Sequence, residues 1–460
     1  MNKLAFLALF GFPGVLLAQP KAIAITHVAV IDPAAGTAQR DMIVVIEGDR
    51  ISAVGKSGDT AVPDGARVVD GTGKFLIPGL WDMHVHIAGP AYLPLFIANG
   101  VTGVRDLHSF FPEATLKMRD DIRAGKTLGP RIVAAGALVD GEKPLWPGAV
   151  EAKNAEEGRA AVQSLKKRGA DFIKVYTKLS RPAYLAIVEE TKKEGLTFAG
   201  HVPESMSAAE ASDLGQKSME HLYGFFRACS ADEEKLRDEE LAALAKVDNA
   251  GLRPIMVRTQ VKALDGYSEE KAKALFARFV KNQTWQDPTL TVLRAISSLD
   301  DEKFTNDPRV KYMPAYVKTA WNPKLPAEFL ADLKRLYKKS VEATAAMHQA
   351  GVPLLAGTDT TNPYCFPGFS LHDELTLLVD GARLTPIEAL RCATSNPAKF
   401  LGLEKDLGTI EKGKLADLVL LDADPLADIK NTQKIAAVVA NGKLLTKQEL
   451  QKMLDAAAGK

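Results

Sequence analysis

The run LIPGLWDMHVHI, residues 76 to 87, is an apolar stretch that ends in two histidines separated by one residue. Amphipathic segments, for example residues 181 to 194, alternate with further apolar runs of strand length. Those runs are VTGVRDLHS from residue 101, RIVAAGALV from 131, DFIKVYT from 171, TFAGHVP from 197, KSMEHLYG from 217, WQDPTLTV from 285 and VPLLAGTDT from 352. Apolar strands that alternate with helices indicate a parallel sheet covered by helices. Eight such units predict an α/β fold, a (β/α)8 TIM barrel over residues 75–401.

Both ends of the chain show a different pattern, in which short β-rich runs are broken by turns. AIAITHVAVID begins at residue 22, MIVVIEGDRISAVG at 42, ADLVLLDADP at 416 and IAAVVANGKLL at 435. Glycine and aspartate separate these runs, as in antiparallel sheets. We therefore expect a small β-sandwich domain built from both chain ends, residues 19–74 and 402–460.

Two intervals are longer than a single connecting helix requires. Residues 229–282 are charged and helical in pattern, which predicts an insertion over the active face. The run RPIMVRTQV from residue 253 is an alternative seventh strand. Residues 300–326 contain four prolines and predict a loop across the barrel mouth.

Composition excludes several classes of protein. Hydrophobic residues make up 46% and charged residues 25% of 460, as in ordinary globular proteins, which excludes a disordered chain and a multispanning membrane protein. The 58 basic and 57 acidic residues leave a net charge of +1, so nucleic acid is not an expected partner. The three cysteines have no CxxC spacing and do not indicate a disulfide framework.

The first residues have the pattern of a secretory signal peptide. Lys3 precedes an apolar run from Leu4 to Leu17, and the small residue Ala18 follows. Leu16 is larger than the residue usual at its position, which leaves a retained anchor or a buried helix as alternatives. Residues 1–18 are predicted to be cleaved, giving a periplasmic or secreted protein with no membrane span after cleavage.

The histidines are the first residues that point to chemistry. Five of the eight fall at or near the end of a predicted strand. The two-residue period of a strand puts Asp82, His84 and His86 on one face, where two imidazoles can chelate a cation, although such a triplet also occurs at solvent-facing edges. His201 and His221 end the fifth and sixth runs. Because strand ends converge at the C-terminal face of a barrel, all four are expected in one pocket.

Asp359 and Lys174 complete the predicted cluster. Asp359 ends the eighth run, beside the first in a closed barrel, and an aspartate there can ligate metal or accept a proton, unless it is a helix cap. Strand alternation points Phe172, Lys174 and Tyr176 inward. Burial and nearby cations favour a neutral amine, which can react with carbon dioxide to form a carbamate that bridges two metals. The alternatives for Lys174 are a side chain that extends its ammonium to solvent or one that pairs with a carboxylate.

At these residues the chain resembles the amidohydrolase superfamily, in the branch of imidazolonepropionases, metal-dependent prolidases and Xaa-Arg dipeptidases. The marks are LIPGLWDMHVH, VRD at residue 104, FIKVY, AGHVP, MEHLYG, AGTD and the tail from residue 388, and they extend over nearly everything after the signal. The resemblance implies that His84 and His86 bind the more buried metal, that Lys174 bridges as a carbamate, and that His201 and His221 hold the second metal. It also implies that Asp359 ligates the first metal and handles protons. Reasoning from the strand ends selects the same six residues.

Two features set the chain apart within that resemblance. Relatives often have two glycines soon after VRD, whereas this chain continues LHSFFPE and places His108 near the pocket. Imidazolonepropionases lack the bridging lysine and use one metal, so FIKVY favours the two-metal, dipeptidase-like side. Two divalent ions, expected to be Zn²⁺, and carbon dioxide for Lys174 are the implied cofactors.

The implied reaction is hydrolysis of a C–N amide bond in dipeptides or N-acyl amino acids by a hydroxide that bridges the metals. Asp359 takes the proton and delivers it to the leaving nitrogen, and Tyr223, predicted on the strand face of His221, stabilises the oxyanion. His108, Tyr176 and Tyr223 are the predicted contacts to this small-molecule substrate.

Several alternatives stay open at this point. The substrate carboxylate requires a cation, for which Arg105, Arg227 and Arg258 are candidates by position. A cyclic amide or an ester is the alternative substrate, and a scaffold protein of the same fold is the alternative without catalysis. A homo-oligomer stays open as well.

Overall fold

A computed structural model describes residues 22–321 and 324–458, so the predicted signal peptide lies outside the described residues. The strands are β1 (Ile23–Asp32), β2 (Thr37–Glu47), β3 (Arg50–Lys56), β4 (Arg67–Asp70), β5 (Phe75–Pro78), β6 (Leu80–Val85), β7 (Val101–Asp106), β8 (Arg131–Ala134), β9 (Leu138–Asp140), β10 (Val150–Glu151), β11 (Ile173–Val175), β12 (Phe198–Gly200), β13 (Ser218–Glu220), β14 (Trp285–Asp287), β15 (Leu418–Leu421), β16 (Ile435–Ala440) and β17 (Lys443–Thr446).

The helices lie mainly between the parallel strands and after them. They are α1 (Leu93–Ala98), α2 (Pro112–Arg123), α3 (Ala155–Lys167), α4 (Arg181–Lys193), α5 (Ala208–Asp213), α6 (Phe225–Ala228), α7 (Glu233–Leu244), α8 (Asn249–Asp265), α9 (Glu269–Asn282), α10 (Leu290–Ser297), α11 (Glu302–Thr305), α12 (Ala315–Ala320), α13 (Ala327–Gln349), α14 (Phe369–Asp380), α15 (Pro386–Cys392), α16 (Ser395–Leu401) and α17 (Lys447–Ala457). Among the described residues, none of these helices combines the length and the apolar character that crossing a membrane requires.

The two chain ends share one sheet, as their common pattern predicts. Its strand order is β17-β16-β15-β5-β1-β2-β3, with β4 paired to β1. β15 pairs antiparallel with β5, so Val419 lies opposite Ile77. Apolar side chains from both ends, among them Ile25, Val44 and Leu418, form one buried cluster. That burial holds residues far apart in the chain together. The finer expectation of a sandwich, and the domain boundaries, stay predictions.

The middle of the chain is an α/β structure with parallel sheets. β6, β7 and β8 form one sheet, and the second has the order β10-β9-β11-β12-β13-β14. Every pairing within these two sheets is parallel. The predicted third run contains both β8 and β9, and Gly136 lies between them with φ 69°. This positive φ is one that glycine adopts without strain.

Residues 353–360 lie between the two outer strands of these sheets. The Leu355 amide donates to the Gln286 carbonyl at 2.9 Å, and the His86 amide donates to the Thr360 carbonyl at 2.6 Å. The predicted eighth run therefore contacts both β14 and β6. It contributes bridges at Leu354 and Thr360 rather than a regular strand, which corrects the expectation of an eighth regular strand.

Other expectations are corrected or confirmed by the helices. The alternative seventh strand around Arg253 is wrong, because this segment belongs to α8, and the favoured run contains β14. The long interval before it is helical, as expected, and forms α7, α8 and α9. The segment 300–326 contains α11, α12 and a 3₁₀ turn at Pro308–Tyr312 instead of an irregular loop; of its residues, 322 and 323 lie outside the described part.

Candidate active site

The six predicted ligands lie in or next to the parallel strands. His84 lies in β6 and Lys174 in β11, and His86, His201 and His221 directly follow β6, β12 and β13. Asp359 lies in the irregular segment 353–360 between β14 and β6. Parallel strands all end at the same edge, so their terminal side chains meet there. His84 is 0% exposed, Lys174 1% and Asp359 9%, which makes this a water-poor cluster of ionisable groups.

Asp359 is the centre of the cluster. Its Oδ1 lies 2.9 Å from His86 Nε2 and 3.4 Å from His84 Nε2, and its Oδ2 lies 3.8 Å from His221 Nε2. His84, His221 and Asp359 each offer a ligand atom, and these atoms lie within 4.8 Å of one another. The structure thus brings together four of the six predicted residues by direct contact.

His201 and Lys174 join the cluster less directly. The His201 ring lies 5.1 Å from that of His221, between Tyr176 at 4.1 Å and Tyr223 at 4.3 Å. Among the described residues, no carboxylate lies within ion-pair distance of the Lys174 ammonium, so the predicted alternative of a paired lysine finds no support. Burial lowers the pKa of Lys174 to about 8, against the opposing charges of nearby carboxylates.

Hydrogen bonds fix how three histidines face the cluster. His86 Nδ1–H donates to the His108 carbonyl at 2.9 Å. The Thr289 hydroxyl donates its proton to the Pro288 carbonyl at 2.8 Å. Thr289 Oγ1 therefore accepts from His221 Nδ1–H, which lies 2.6 Å away. His84 Nδ1 donates to Glu220 Oε2 at 3.1 Å. For His84 and His221 the bond holds the proton on Nδ1 and leaves the Nε2 lone pair facing Asp359. His86 Nε2 lies 2.9 Å from Asp359 Oδ1, and this carboxylate outweighs burial and raises the pKa of His86.

A buried charged layer lies beneath the histidines. Arg105 NH2 lies 3.0 Å from Glu220 Oε2 and 3.3 Å from Asp287 Oδ2. Burial raises the pKa of a carboxyl, but the Arg105 guanidinium outweighs it for Glu220 and holds that pKa below its usual range. Burial and the charge of Glu220 raise the pKa of Asp287. At Gly357 a Cβ would lie 2.6 Å from Asp287 Oδ2, so glycine is required for this layer to close under the site.

The cluster fits a divalent cation. His84 Nε2 and Asp359 Oδ1 are buried and have no hydrogen-bond partner, although such atoms are costly to leave unpaired. Burial lowers the pKa of His84 and His201, and that of His221 to about 4, so these imidazoles are neutral, the form that binds metal. Burial opposes ionisation of Asp359, but the three neighbouring imidazoles outweigh it and hold its pKa below the usual range.

The three predicted substrate contacts, His108, Tyr176 and Tyr223, differ in their hydrogen bonds and in their backbone positions. His108 donates from Nε2 to the Pro147 carbonyl at 3.2 Å and accepts from the Leu138 amide at 3.4 Å, so both its nitrogens are engaged. The Tyr176 hydroxyl accepts from Trp146 Nε1 at 2.7 Å. Tyr223 follows a turn in which His221 has φ 60°, which corrects the expectation that the two share a strand face. Contact of these three with substrate stays a prediction.

Two of the arginines proposed for the substrate carboxylate are already paired. Arg105 is bound in the layer described above. Arg227 NH1 contacts both Glu204 and Glu240, and Arg227 is 2% exposed. Arg258 is exposed on α8. The structure therefore leaves neither buried arginine available for an incoming anion.

Sequence reasoning missed the residues that orient the histidines. Glu220 and Thr289 bond the imidazoles through Nδ1, and Thr177 Oγ1 lies 2.9 Å from His201 Nδ1. The signal that was available is position, because Thr177 ends the run of Lys174, Glu220 directly precedes His221, and Thr289 lies within the predicted seventh run. Their partners are distant in sequence, so no local pattern identifies the pairing.

Comparison with known proteins gives a consistent result. The family model described as "Amidohydrolase family" matches residues 75–445. Ochratoxinase of Aspergillus niger is 24% identical over 483 aligned positions, which cover 90% of this chain and 84% of that protein. Imidazolonepropionase of Shouchella clausii is 46% identical over 78 residues, 17% of each chain. A crystal structure of a Xaa-Pro dipeptidase with methionine bound in its active site superimposes with a TM-score of 0.68, 22% identity, and coverage of 92% of this chain and 100% of that chain.

Proposed function

The chain belongs to the amidohydrolase family, and from this premise we propose that it is a metal-dependent hydrolase of the amide bond in dipeptides or N-acyl amino acids. The relatives that it matches include hydrolases of C–N bonds. The observation that carries the proposal is the unpaired, buried contact of 3.4 Å between His84 Nε2 and Asp359 Oδ1. A cation between these two atoms removes the cost of leaving them without partners.

Two groups of side chains are available to hold two divalent ions. His84, His86 and Asp359 would hold one, and His201 and His221 the other. Lys174, carboxylated by carbon dioxide, would supply an anionic oxygen to each. Nitrogen and carboxylate donors of this kind suit Zn²⁺, which we propose as the metal.

When bound, divalent ions of this kind lower the pKa of water and polarise a carbonyl. The chain's own residues provide the remaining functions. The Asp359 carboxylate is positioned to accept a proton at the centre of the cluster and to return it to the leaving nitrogen. Tyr223 lies beside His201 and His221 at ring distances of 4.3 and 5.5 Å, where its hydroxyl would donate to the oxyanion.

We also propose that the parallel strands close into a (β/α)8 barrel. Support comes from residues 353–360, which hydrogen-bond to β14 on one side and to β6 on the other. β8 and β9 belong to one continuous run and pair with β7 and β11 respectively. This arrangement would bring the first and last runs together around Asp359.

The test is metal analysis together with hydrolysis of a library of dipeptides and N-acyl amino acids. We expect two metal equivalents in the wild type, and loss of both metal and activity in His84→Ala and His86→Ala, with circular dichroism unchanged. His348→Ala is the matched control, since His348 lies on α13 and pairs with Glu388. If the library is inert and only cyclic amides or esters react, the proposed substrate is wrong. Full turnover in either ligand variant would refute the site.

A further inference from the structure

A cavity that is partly open to solvent adjoins the candidate active site on the side of His221 and Tyr223. Its remaining walls come from α6, α8, α10 and α13, so the insertion before β14 supplies one whole side. The walls are mainly apolar and include Phe226, Met256, Leu293, Ile296, Leu333 and Leu336. Such walls favour an apolar group placed directly beside the reacting bond.

Arg253 is the one cation among the described residues that line this cavity. Arg253 is exposed, and no carboxylate lies within ion-pair distance of it in the described part of the chain, whereas Arg105 and Arg227 are buried and paired. Gln260 lies two turns further along α8, and its buried Oε1 has no hydrogen-bond partner. The cavity thus combines apolar walls with one unpaired positive charge and one unpaired amide oxygen, which would accept from a donor on the ligand.

We propose that this cavity binds the leaving-group residue of the substrate, an amino acid with a large apolar side chain whose carboxylate pairs with Arg253. This inference rests on the proposed amide hydrolysis. In a dipeptide or an N-acyl amino acid, the free carboxylate belongs to the residue that departs with the nitrogen. Its carboxylate and its side chain are attached to one Cα, so a carboxylate at Arg253 brings the side chain against the apolar walls.

A second cavity nearby is less suited to this anion. It contains Lys178, but Glu204 and Asp248 line it too and would repel a carboxylate. The Lys178 ammonium already donates to Asn249 Oδ1 at 3.0 Å and to the Lys143 carbonyl at 2.7 Å. None of the six candidate metal ligands lines this cavity, whereas His221 lines the cavity of Arg253.

The proposal predicts a specific order of substrates. We would measure kcat/KM for Ala-Leu, Ala-Phe and Ala-Gly, and for Ala-leucinamide, which lacks the carboxylate. Burial of a leucine or phenylalanine side chain should favour these substrates over glycine by about 10- to 100-fold. Ala-leucinamide should fall below Ala-Leu by about 10-fold or more, because a charge-assisted bond is lost.

Two variants of exposed cations on one helix isolate the role of Arg253. Arg253→Met should lower kcat/KM for Ala-Leu by about 10-fold or more, with Ala-leucinamide changed by less than about twofold. Lys262→Met is the matched control and should behave as the wild type, because Lys262 is an exposed residue of α8 that pairs with Glu239 and does not line the cavity. Metal content should be the same in all three proteins. Met256→Trp, which fills the cavity, should reduce the preference for leucine while Ala-Gly is still cleaved.

The outcomes separate this inference from the function on which it rests. Equal rates for Ala-Leu and Ala-Gly, or equal losses in Arg253→Met and Lys262→Met, would overturn the cavity assignment and leave amide hydrolysis intact. A wild type that carries metal but cleaves none of these amides contradicts the proposed function. Calorimetric titration with L-leucine and with glycine then tests the cavity by itself. Tighter binding of L-leucine than of glycine, weakened in Arg253→Met, would support the cavity assignment. Equal binding of the two, or no binding, would refute it.

Discussion

Replacing Thr289 by valine removes one oxygen that fixes His221 while keeping the shape of the side chain. The Thr289 hydroxyl accepts from His221 Nδ1 at 2.6 Å and is 0% exposed, so no water replaces it readily. In Thr289→Val the Nδ1–H has no acceptor, and the imidazole gains by moving its proton to Nε2, the atom that faces Asp359. The loss of such an orienting partner weakens metal binding by about 10- to 100-fold, which corresponds to about 1.4 to 2.8 kcal/mol.

The assay is competition with a chelator of known affinity, followed by metal analysis, so that each equivalent is titrated separately. We expect only the equivalent assigned to His201 and His221 to shift by this factor. Thr344→Val is the matched control: Thr344 is equally buried, and its hydroxyl donates to the Ser340 carbonyl at 2.8 Å within α13. Binding in Thr289→Val within twofold of wild type, or an equal loss in Thr344→Val, would refute the orienting role.

Three further predictions concern the bridge, the insertion and the chain start. Lys174→Ala should lose the second metal equivalent, and a short-chain carboxylic acid should restore part of it. Lys174→Arg should not be rescued, because the charge of arginine is fixed. A Lys174→Ala variant with two metal equivalents and the full rate would exclude the bridge. Burial and the carboxylate of Glu204 raise the pKa of Glu240 to about 9 from 4.5, so the folded chain keeps a proton that the unfolded chain releases. The free energy of unfolding therefore falls as pH rises from 4.5 to about 9, by at most about 1.4 kcal/mol per pH unit. In Glu240→Gln the denaturant midpoint should fall less over this range. Parallel curves of midpoint against pH for the two proteins would contradict this. Mass spectrometry of the exported protein should find a mature chain that begins near Gln19, and an intact Met1 would contradict the signal peptide.

The candidate metal ligands could be selected from the sequence because they depend on local patterns. His84 and His86 share a strand face through the two-residue period, and the same period points Lys174 inward. His201, His221 and Asp359 lie at or near the ends of apolar runs. In parallel α/β structures strand ends converge, so a list of strand ends is already a list of neighbours. The same reasoning failed where the backbone leaves the strand: His221 and Leu222 have φ 60° and 57°, and Tyr223 therefore follows a turn.

The sequence by itself determined the alternation of strands and helices in the middle of the chain, the shared sheet of the chain ends and the residue types that meet at the strand ends. These depend on apolar periodicity, which acts over a few residues. Only the tertiary structure decided which groups orient the ligands and which arginines are already paired. Glu220 lies 136 residues from His84, and Arg105 lies 182 residues from Asp287. Such pairs form because burying a charge is costly unless a partner is adjacent, and that balance is set by the packed interior as a whole rather than by any local pattern.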